Sequence, residues 1–233
     1  MRMSRRMGLY ARIQSGQPLS NLAIGSKLAI TENSILVPFL VLKHDYESSG
    51  RSLLLREGIH SKRSWHTSSV NAYATSAINT WLNGTYLSSI DADIRTKIAA
   101  VNIPYTPGNG NNTVSSLNTQ VFLLSYTETG LPQKTGANVR TNIEGTAISY
   151  FDSDTKRIAY YDGTATFWWT RSPNTKDTET VLGVGSGGSS GYTRANSSYG
   201  IRPAFTLPSS LLVSLEPDAS GVYSSVYFRI GGL

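Results

Sequence analysis

The sequence contains no cysteine, which excludes disulfide bonds, thiolate nucleophiles and thiolate metal sites. Charged residues are scarce as well, at 15% of the chain against roughly 25% in an average soluble domain. No apolar run approaches the roughly 18 residues of a membrane-spanning helix, so membrane insertion is not expected. Residues 1–8 are basic but lack the apolar segment of a signal peptide, so we expect no signal peptide.

The charge that is present is mainly positive, with a net charge of +6 and a pI of about 9.5. Apart from Arg2, Arg5 and Arg6 and the pair Lys62-Arg63, the basic residues are spread along the chain. Nucleic-acid binding is typical of basic residues clustered on one surface. The sequence therefore does not predict a nucleic-acid partner.

Residue patterns that carry catalysis are also missing. The three histidines, His44, His60 and His66, would have to converge with a carboxylate to form a metal site, and their positions do not indicate this. The glycine-rich segment 183–191 matches neither a Gly-x-Ser-x-Gly nucleophile turn nor a phosphate-binding loop. We expect a protein that is not an enzyme and that holds no metal and no cofactor.

The apolar pattern predicts one α+β domain with two amphipathic helices, short antiparallel sheets and many loops. The run 35–42 and the strand 52–56 are expected to form a hairpin. Between residues 69 and 103 the apolar spacing predicts two helices, whose inner faces would be Val70, Tyr73, Ala77, Ile78, Trp81 and Leu82 for the first and Leu87, Ile90, Ile94 and Ile98 for the second. Ser68 or Ser69 would cap the first helix, and Gly84 would end it.

The rest of the chain is expected to be mainly strands and loops. Strands are predicted at 120–125, 165–170 and 201–207, and a weaker helix within 147–162. The last two strands would flank a flexible, glycine-rich surface loop at 183–191. Residues 210–233 alternate in part and predict a terminal strand or hairpin.

Two short blocks combine aromatic or aliphatic bulk with an arginine near a proline: residues 167–173 and residues 199–208. We interpret their polar and rigid residues, together with Trp81, as structural anchors: Arg171, Pro173, Arg202, Pro203 and Trp81. A ligand or partner surface is predicted from the aromatic, amide and charged residues between and within the blocks: Tyr192, Arg194, Asn196, Tyr199 and Trp169. Because adjacent strand residues face opposite sides, one of Trp168 and Trp169 should face outward.

Six blocks in order resemble a family of bacterial and bacteriophage proteins known as DUF6273. The blocks are 39–46, 53–56, 81–87, 121–125, 168–173 and 200–205. The resemblance spans residues 25–208. It divides the chain into an N-terminal arm or assembly segment at 1–24, the domain at 25–208 and a C-terminal strand or hairpin extension at 209–233.

The closing Gly-Ile-Arg-Pro of this family is similar to that of the C-type-lectin-like fold of formylglycine-generating enzymes and some phage proteins. Two departures matter. There is no cysteine for formylglycine chemistry, and Glu216-Pro217-Asp218 lies too late in the chain to be the calcium tripeptide of a lectin. We interpret that tripeptide as a surface turn.

The resemblance implies a non-enzymatic structural protein of a bacteriophage or phage-like particle, which displays its domain at the tail or baseplate for attachment or decorates the capsid. Its expected location is the virion. Its expected partners are other virion proteins, copies of itself and a host cell-surface glycan. Two alternatives remain open at this point, a secreted bacterial carbohydrate-binding module and a cell-wall hydrolase.

Overall fold

The computed structural model of the protein describes residues 16–225. Strands form most of its regular structure. In chain order they are β1 (Gly16–Pro18), β2 (Lys27–Glu32), β3 (Ile35–Lys43), β4 (Arg51–Arg56), β5 (Ser61–Ser64), β6 (Val101–Tyr105), β7 (Ser115–Thr119), β8 (Val121–Phe122), β9 (Tyr160–Tyr161), β10 (Thr164–Ala165), β11 (Trp168–Pro173), β12 (Thr180–Val184), β13 (Ser190–Arg194), β14 (Ser198–Ile201), β15 (Ala204–Pro208), β16 (Leu212–Ser214) and β17 (Val222–Ser224).

A six-stranded sheet carries the main core, with the strand order β17-β2-β3-β4-β15-β8. Strand β3 lies inside this sheet, between β2 and β4. Most of its residues from Val37 onward are buried, which explains its nearly continuous apolar sequence. It pairs with β4 in antiparallel register, Leu40 opposite Leu55, which confirms the predicted hairpin. The rings of Phe39 and Phe205 then meet across the sheet at 5.1 Å.

A five-stranded sheet with the order β13-β12-β11-β14-β5 carries the two arginine blocks. Strands β11 and β14 run parallel, with Trp168 opposite Gly200, and the other pairs are antiparallel. The chain between β11 and β14 forms the hairpin β12–β13. The segment predicted as a glycine-rich loop is therefore the turn of this hairpin together with the strand ends that flank it, since Gly183 pairs with Gly191 and residues 185–189 form the turn.

The prediction of an α+β fold with two amphipathic helices is wrong, because the protein is mostly β-sheet. Within residues 16–225, only one helix reaches seven residues. It covers residues 77–89 and combines Ala77–Trp81, a π-helical Leu82–Tyr86 and Leu87–Ser89; we call it α1. Short 3-10 helices cover Leu19–Asn21 and Tyr46–Ser48, and the other α-helices of the described residues are the single turns α2 (Ala92–Arg95) and α3 (Asp154–Arg157). The weak helix predicted within 147–162 is reduced to this last turn.

Local hydrogen bonds explain why the helical spacing was misleading. The N-cap of α1 is Ser76, whose Oγ accepts a hydrogen bond from Asn79 N at 3.1 Å, so Val70 and Tyr73 precede the helix. Gly84 lies within the helix and does not end it. Ile90 is extended, with ψ of 137°, and separates α1 from α2. Buried turns thus imitate the period of a helix, because they too place every third or fourth side chain in the core.

Both ends of the described chain join the same body. Strand β1 pairs with β16, and β17 pairs with β2 at the end of the six-stranded sheet. Leu19 and Leu22, within the expected arm 1–24, are buried in the main core. Residues 1–15 of that arm and 226–233 of the expected extension lie outside the described residues. The pairs β6–β7 and β9–β10 complete the sheets.

Candidate functional site

Two aromatic rings lie side by side on one face of the five-stranded sheet. Phe167 and Tyr199 are both partly buried, and their ring centroids are 4.8 Å apart with the planes at 54°. We call this pair the aromatic patch. Tyr199 extends from β14, and Phe167 immediately precedes β11, so the parallel pairing of these two strands brings the rings together.

Two glycines allow Phe167 to lie across the neighbouring strands. Gly183 and Gly191 are opposite each other in β12 and β13. A Cβ atom at Gly183 would lie 2.4 Å from Phe167 Cζ, and one at Gly191 would lie 2.6 Å from Phe167 Cε2. Because no real Cβ atom tolerates such distances, glycine at both positions is a condition for the ring to pack on the sheet. The glycine-rich sequence therefore serves close packing.

Trp169 packs against both rings of the aromatic patch but is not part of the exposed surface. Its side chain is fully buried, its ring stands edge-on to both Phe167 and Tyr199 at 5.5 Å, and its Nε1 donates to Arg63 O at 3.0 Å. Trp168 is fully buried as well. The expectation that one of these indoles faces outward is wrong, because each face of β11 is covered by a hydrophobic cluster of its own.

A basic side chain borders the aromatic patch, and an exposed amide lies in the turn before β14. Arg63 in β5 is opposite Tyr199, so both side chains point to the same face. The Arg63 guanidinium lies 4.4 Å from the ring centroid of Trp81, in cation–π geometry. Asn196 is exposed in the turn between β13 and β14, and its carbonyl accepts a hydrogen bond from Ser64 Oγ at 3.0 Å. The sequence interpretation missed Phe167 and Arg63, and assigned Trp81 only to the scaffold.

The remaining predicted surface residues lie on the other face of the sheet. Tyr192 is opposite Leu182 in the β12–β13 pair, and Leu182 packs with Trp168. Tyr192 is 52% exposed. Arg194, two residues further along β13, is exposed and forms an ion pair with Glu179 at 3.3 Å. The structure therefore separates Tyr199 from Tyr192 and Arg194, and it places Asn196 in the turn that precedes β14.

Arg171 makes the contacts expected of a structural anchor. It is fully buried and pairs with the buried Glu128, through Nη1 to Oε2 at 2.7 Å and Nη2 to Oε1 at 3.1 Å. Its remaining hydrogens reach the carbonyls of Pro104 and Leu123, each at 2.9 Å. Burial is the largest single influence and acts to lower the pKa of Arg171, but the charges of Glu128, Tyr46 and Glu144 and the hydrogen bonds to Glu128 together outweigh it, so the pKa is raised and the guanidinium stays charged. These bonds connect β11 to β6 and to the long loop that follows β8.

Arg202 is buried too, and it connects a different set of residues. It donates through Nε to Arg56 O at 3.2 Å and through Nη2 to Glu57 O at 3.0 Å. Pro203, which follows it, is buried, and its carbonyl accepts a hydrogen bond from Arg56 N at 3.0 Å. Pro173, at the end of β11, is also buried. Arg202 thus holds the chain leaving β4 against the chain between β14 and β15.

The tip of the β12–β13 hairpin is anchored. Gly188 has a φ of +84°, and a Cβ there would lie 1.9 Å from Asp154 O, so only glycine fits. The buried Arg157 donates through Nε to Gly188 O at 2.9 Å and through Nη1 to Phe151 O at 2.7 Å. The predicted flexible surface loop is therefore tied to α3.

The histidines occupy separate environments. Both ring nitrogens of His44 have partners, Ser52 Oγ and Leu22 O, each at 2.8 Å. His60 stands edge-on to Trp81 and Tyr86, and burial lowers its pKa. His66 Nδ1 lies 3.2 Å from Ser68 Oγ. Within residues 16–225, no group of three or more His, Asp and Glu side chains is arranged to hold a metal ion.

In the same range, no helix has the length and apolarity needed to cross a membrane. No curated protein and no solved structure matches this chain. A comparison with protein families matches residues 49–209 to a domain of unknown function, DUF6273. This match covers more than half of the chain and contains β4, the whole five-stranded sheet and β15. The chain therefore belongs to the DUF6273 family.

Proposed function

We propose that this chain is a non-enzymatic binding protein that presents its aromatic patch to a glycan on a host cell surface. We further propose that it does so as a structural protein of a bacteriophage or phage-like particle, at the tail or baseplate or on the capsid. Its other partners would be neighbouring virion proteins and copies of itself.

The observation that carries the binding role is the packing of Phe167 over Gly183 and Gly191, with the ring of Tyr199 beside it. The apolar face of a pyranose ring packs against aromatic rings, and its hydroxyls need donors and acceptors around them. Arg63 supplies donors, and the exposed Asn196 amide supplies both kinds of group. The strands and the buried Trp169 hold the rings in place, so little conformational entropy is lost on binding.

Glycan binding tests this role directly. A glycan array, followed by calorimetry with the best binder, should give a weak but saturable interaction in the wild-type protein. Tyr199→Ala should lower the affinity about tenfold or more, because it removes one ring of the patch. Tyr192→Ala is the matched control, since that tyrosine is on the opposite face. A protein that loses binding with Tyr192→Ala and keeps it with Tyr199→Ala would show that the site lies elsewhere.

The particle role has a separate test. We expect the chain to co-purify with intact particles at a fixed stoichiometry. A chain found solely as a free monomer that still binds glycan through Tyr199 would instead be a secreted carbohydrate-binding module. Measurable hydrolysis of cell-wall polymer that is abolished by substitution of His44, His60 and His66 would contradict the non-enzymatic assignment.

A further inference from the structure

A cleft of about 630 Å³ opens on a part of the molecule that shares no residue with the aromatic patch. It lies between β3 and the segment 150–160. Its walls combine apolar, aromatic and charged side chains, among them Pro38, Leu40, Tyr150, Ile158, Tyr160 and Arg202. A cleft of this size holds a small organic molecule or the end of a peptide.

Arg202 is the one charged group in this cleft that lacks a counter-ion among residues 16–225. It is only 2% exposed, and no carboxylate of the described chain lies within 4.0 Å of it. Its Nη1 is buried and has no hydrogen-bond partner in that part of the chain. The ring of Trp168 lies 4.8 Å from the guanidinium and stabilises its charge in part, but a ring does not replace a carboxylate.

The other charges of the cleft are already neutralised. The ion pairs are Arg56 with Glu32 at 3.0 Å, Glu57 with Lys27 at 2.7 Å, and Lys156 with Asp152 at 3.0 Å. The cleft therefore has one uncompensated positive charge, at Arg202. A buried cation without a counter-ion is costly, and burial accordingly lowers the pKa of Arg202 to about 10. An anionic ligand would remove this cost.

The mouth of the cleft has a different character. Leu36 is 70% exposed and Tyr160 is 55% exposed, and both line the cleft. The large apolar side chains at the opening favour a ligand with an apolar body. The guanidinium of Arg202, which has no counter-ion in the described chain, favours an anionic end.

We propose that this cleft binds a carboxylate that carries an apolar group, with the carboxylate beside the guanidinium of Arg202 and the apolar part against Leu36 and Tyr160. A free apolar acid and the C-terminal residue of a peptide both present this chemistry. The proposal is independent of glycan binding at the aromatic patch.

Calorimetry with the full chain tests the charge requirement. The probes are phenylacetate and its uncharged analogue phenylacetamide. Phenylacetate should bind, and phenylacetamide should bind about tenfold more weakly or not at all. Equal affinity for the two probes, or no binding of phenylacetate at millimolar concentration, would overturn the proposal.

Substitutions at the mouth locate the site without disturbing the core. Leu36→Ser and Tyr160→Ala should each weaken phenylacetate binding several-fold. Ile35→Ser is the matched control, since Ile35 is 66% exposed and adjacent but does not line the cleft. An equal loss with Ile35→Ser, or no loss with Leu36→Ser and Tyr160→Ala, would contradict the proposed site. Arg202→Lys should weaken binding further, provided that circular dichroism shows the variant to be folded.

A short peptide ending in leucine distinguishes the two sources of carboxylate. If the peptide with a free C-terminus binds more tightly than both phenylacetate and the amidated peptide, the ligand is a peptide end. If phenylacetate binds more tightly than either peptide, the ligand is a free acid. Equal binding of the free and amidated peptides, together with equal binding of phenylacetate and phenylacetamide, would overturn the proposal.

Discussion

Arg171 and Glu128 form a bidentate ion pair in which both side chains are buried, with N–O distances of 2.7 and 3.1 Å. Removing one partner leaves the other charge buried without compensation. We expect Glu128→Gln to lower the free energy of unfolding by about 3–5 kcal/mol, measured by urea denaturation.

The exposed pair Arg194–Glu179 is the control for this variant. Glu179→Gln should leave the urea midpoint nearly unchanged, because solvent screens exposed ion pairs. If Glu128→Gln and Glu179→Gln lower the free energy of unfolding equally, burial does not determine how much the Arg171–Glu128 pair stabilises the protein.

Gly191 tests the link between glycine and the aromatic patch. In Gly191→Ala the new methyl group would lie 2.6 Å from Phe167 Cε2, and the ring would have to move. We expect glycan affinity to fall several-fold, with a stability loss of about 1–3 kcal/mol. Gly187→Ala is the matched control, since nothing lies within 4 Å of a Cβ there. Unchanged glycan affinity in Gly191→Ala would show that the position of the Phe167 ring does not determine glycan binding.

The start of α1 can be tested at Ser76. Its Oγ caps the helix by accepting a hydrogen bond from Asn79 N, and it also donates to Tyr73 O at 2.7 Å. Ser76→Ala should therefore destabilise the protein by about 1–2 kcal/mol in thermal or urea unfolding. Ser69→Ala should have little effect, because Ser69 lies outside the helix. A larger loss of stability in Ser69→Ala than in Ser76→Ala would place the N-cap at Ser69, as the sequence pattern predicts.

Alkaline pH should destabilise the fold. Burial raises the pKa of Tyr46, Tyr73 and Tyr86 above the ordinary value of 10.0. Above about pH 10 the unfolded chain loses these protons and the folded protein keeps them, so stability falls as the pH rises. Arg51 and Arg202 act in the opposite direction, because burial lowers the pKa of each and the folded state loses these protons first, but they are fewer than the buried tyrosines.

Urea denaturation at several pH values from about 8 to 11 measures this slope. Tyr86→Phe should make the slope shallower, although the loss of the hydrogen bond to Glu32 also lowers stability at neutral pH. Stability that stays constant or increases above about pH 10 would contradict the expectation.

The parts of the fold that follow from the sequence are those with a strong local signal. The apolar run 35–42 and the strand 52–56 form the predicted hairpin, because continuous apolar sequence of that length fits only a buried strand or a buried helix. The helices were overestimated because the cap at Ser76 and the break at Ile90 depend on individual hydrogen bonds and backbone angles, which spacing does not reveal.

The candidate site was less predictable for a similar reason. Tyr199 and Asn196 are three residues apart in the sequence, but Phe167 and Arg63 come beside Tyr199 only through the pairing of β14 with β11 and β5. A signal was present in the paired glycines 183 and 191, which we interpreted as flexibility. Glycines spaced within predicted strands can indicate an aromatic ring packed across them.

The six-stranded sheet determines which fragments of this protein can be expressed in folded form. The family match begins at residue 49, yet β2 and β3, which pair directly with β4, lie before that point, and β16 and β17 lie after its end at 209. A fragment of residues 49–209 would expose the apolar edge of β4 where β3 had been. Expression of that fragment alone should give aggregation, whereas a piece that begins at residue 16 keeps the neighbouring strands.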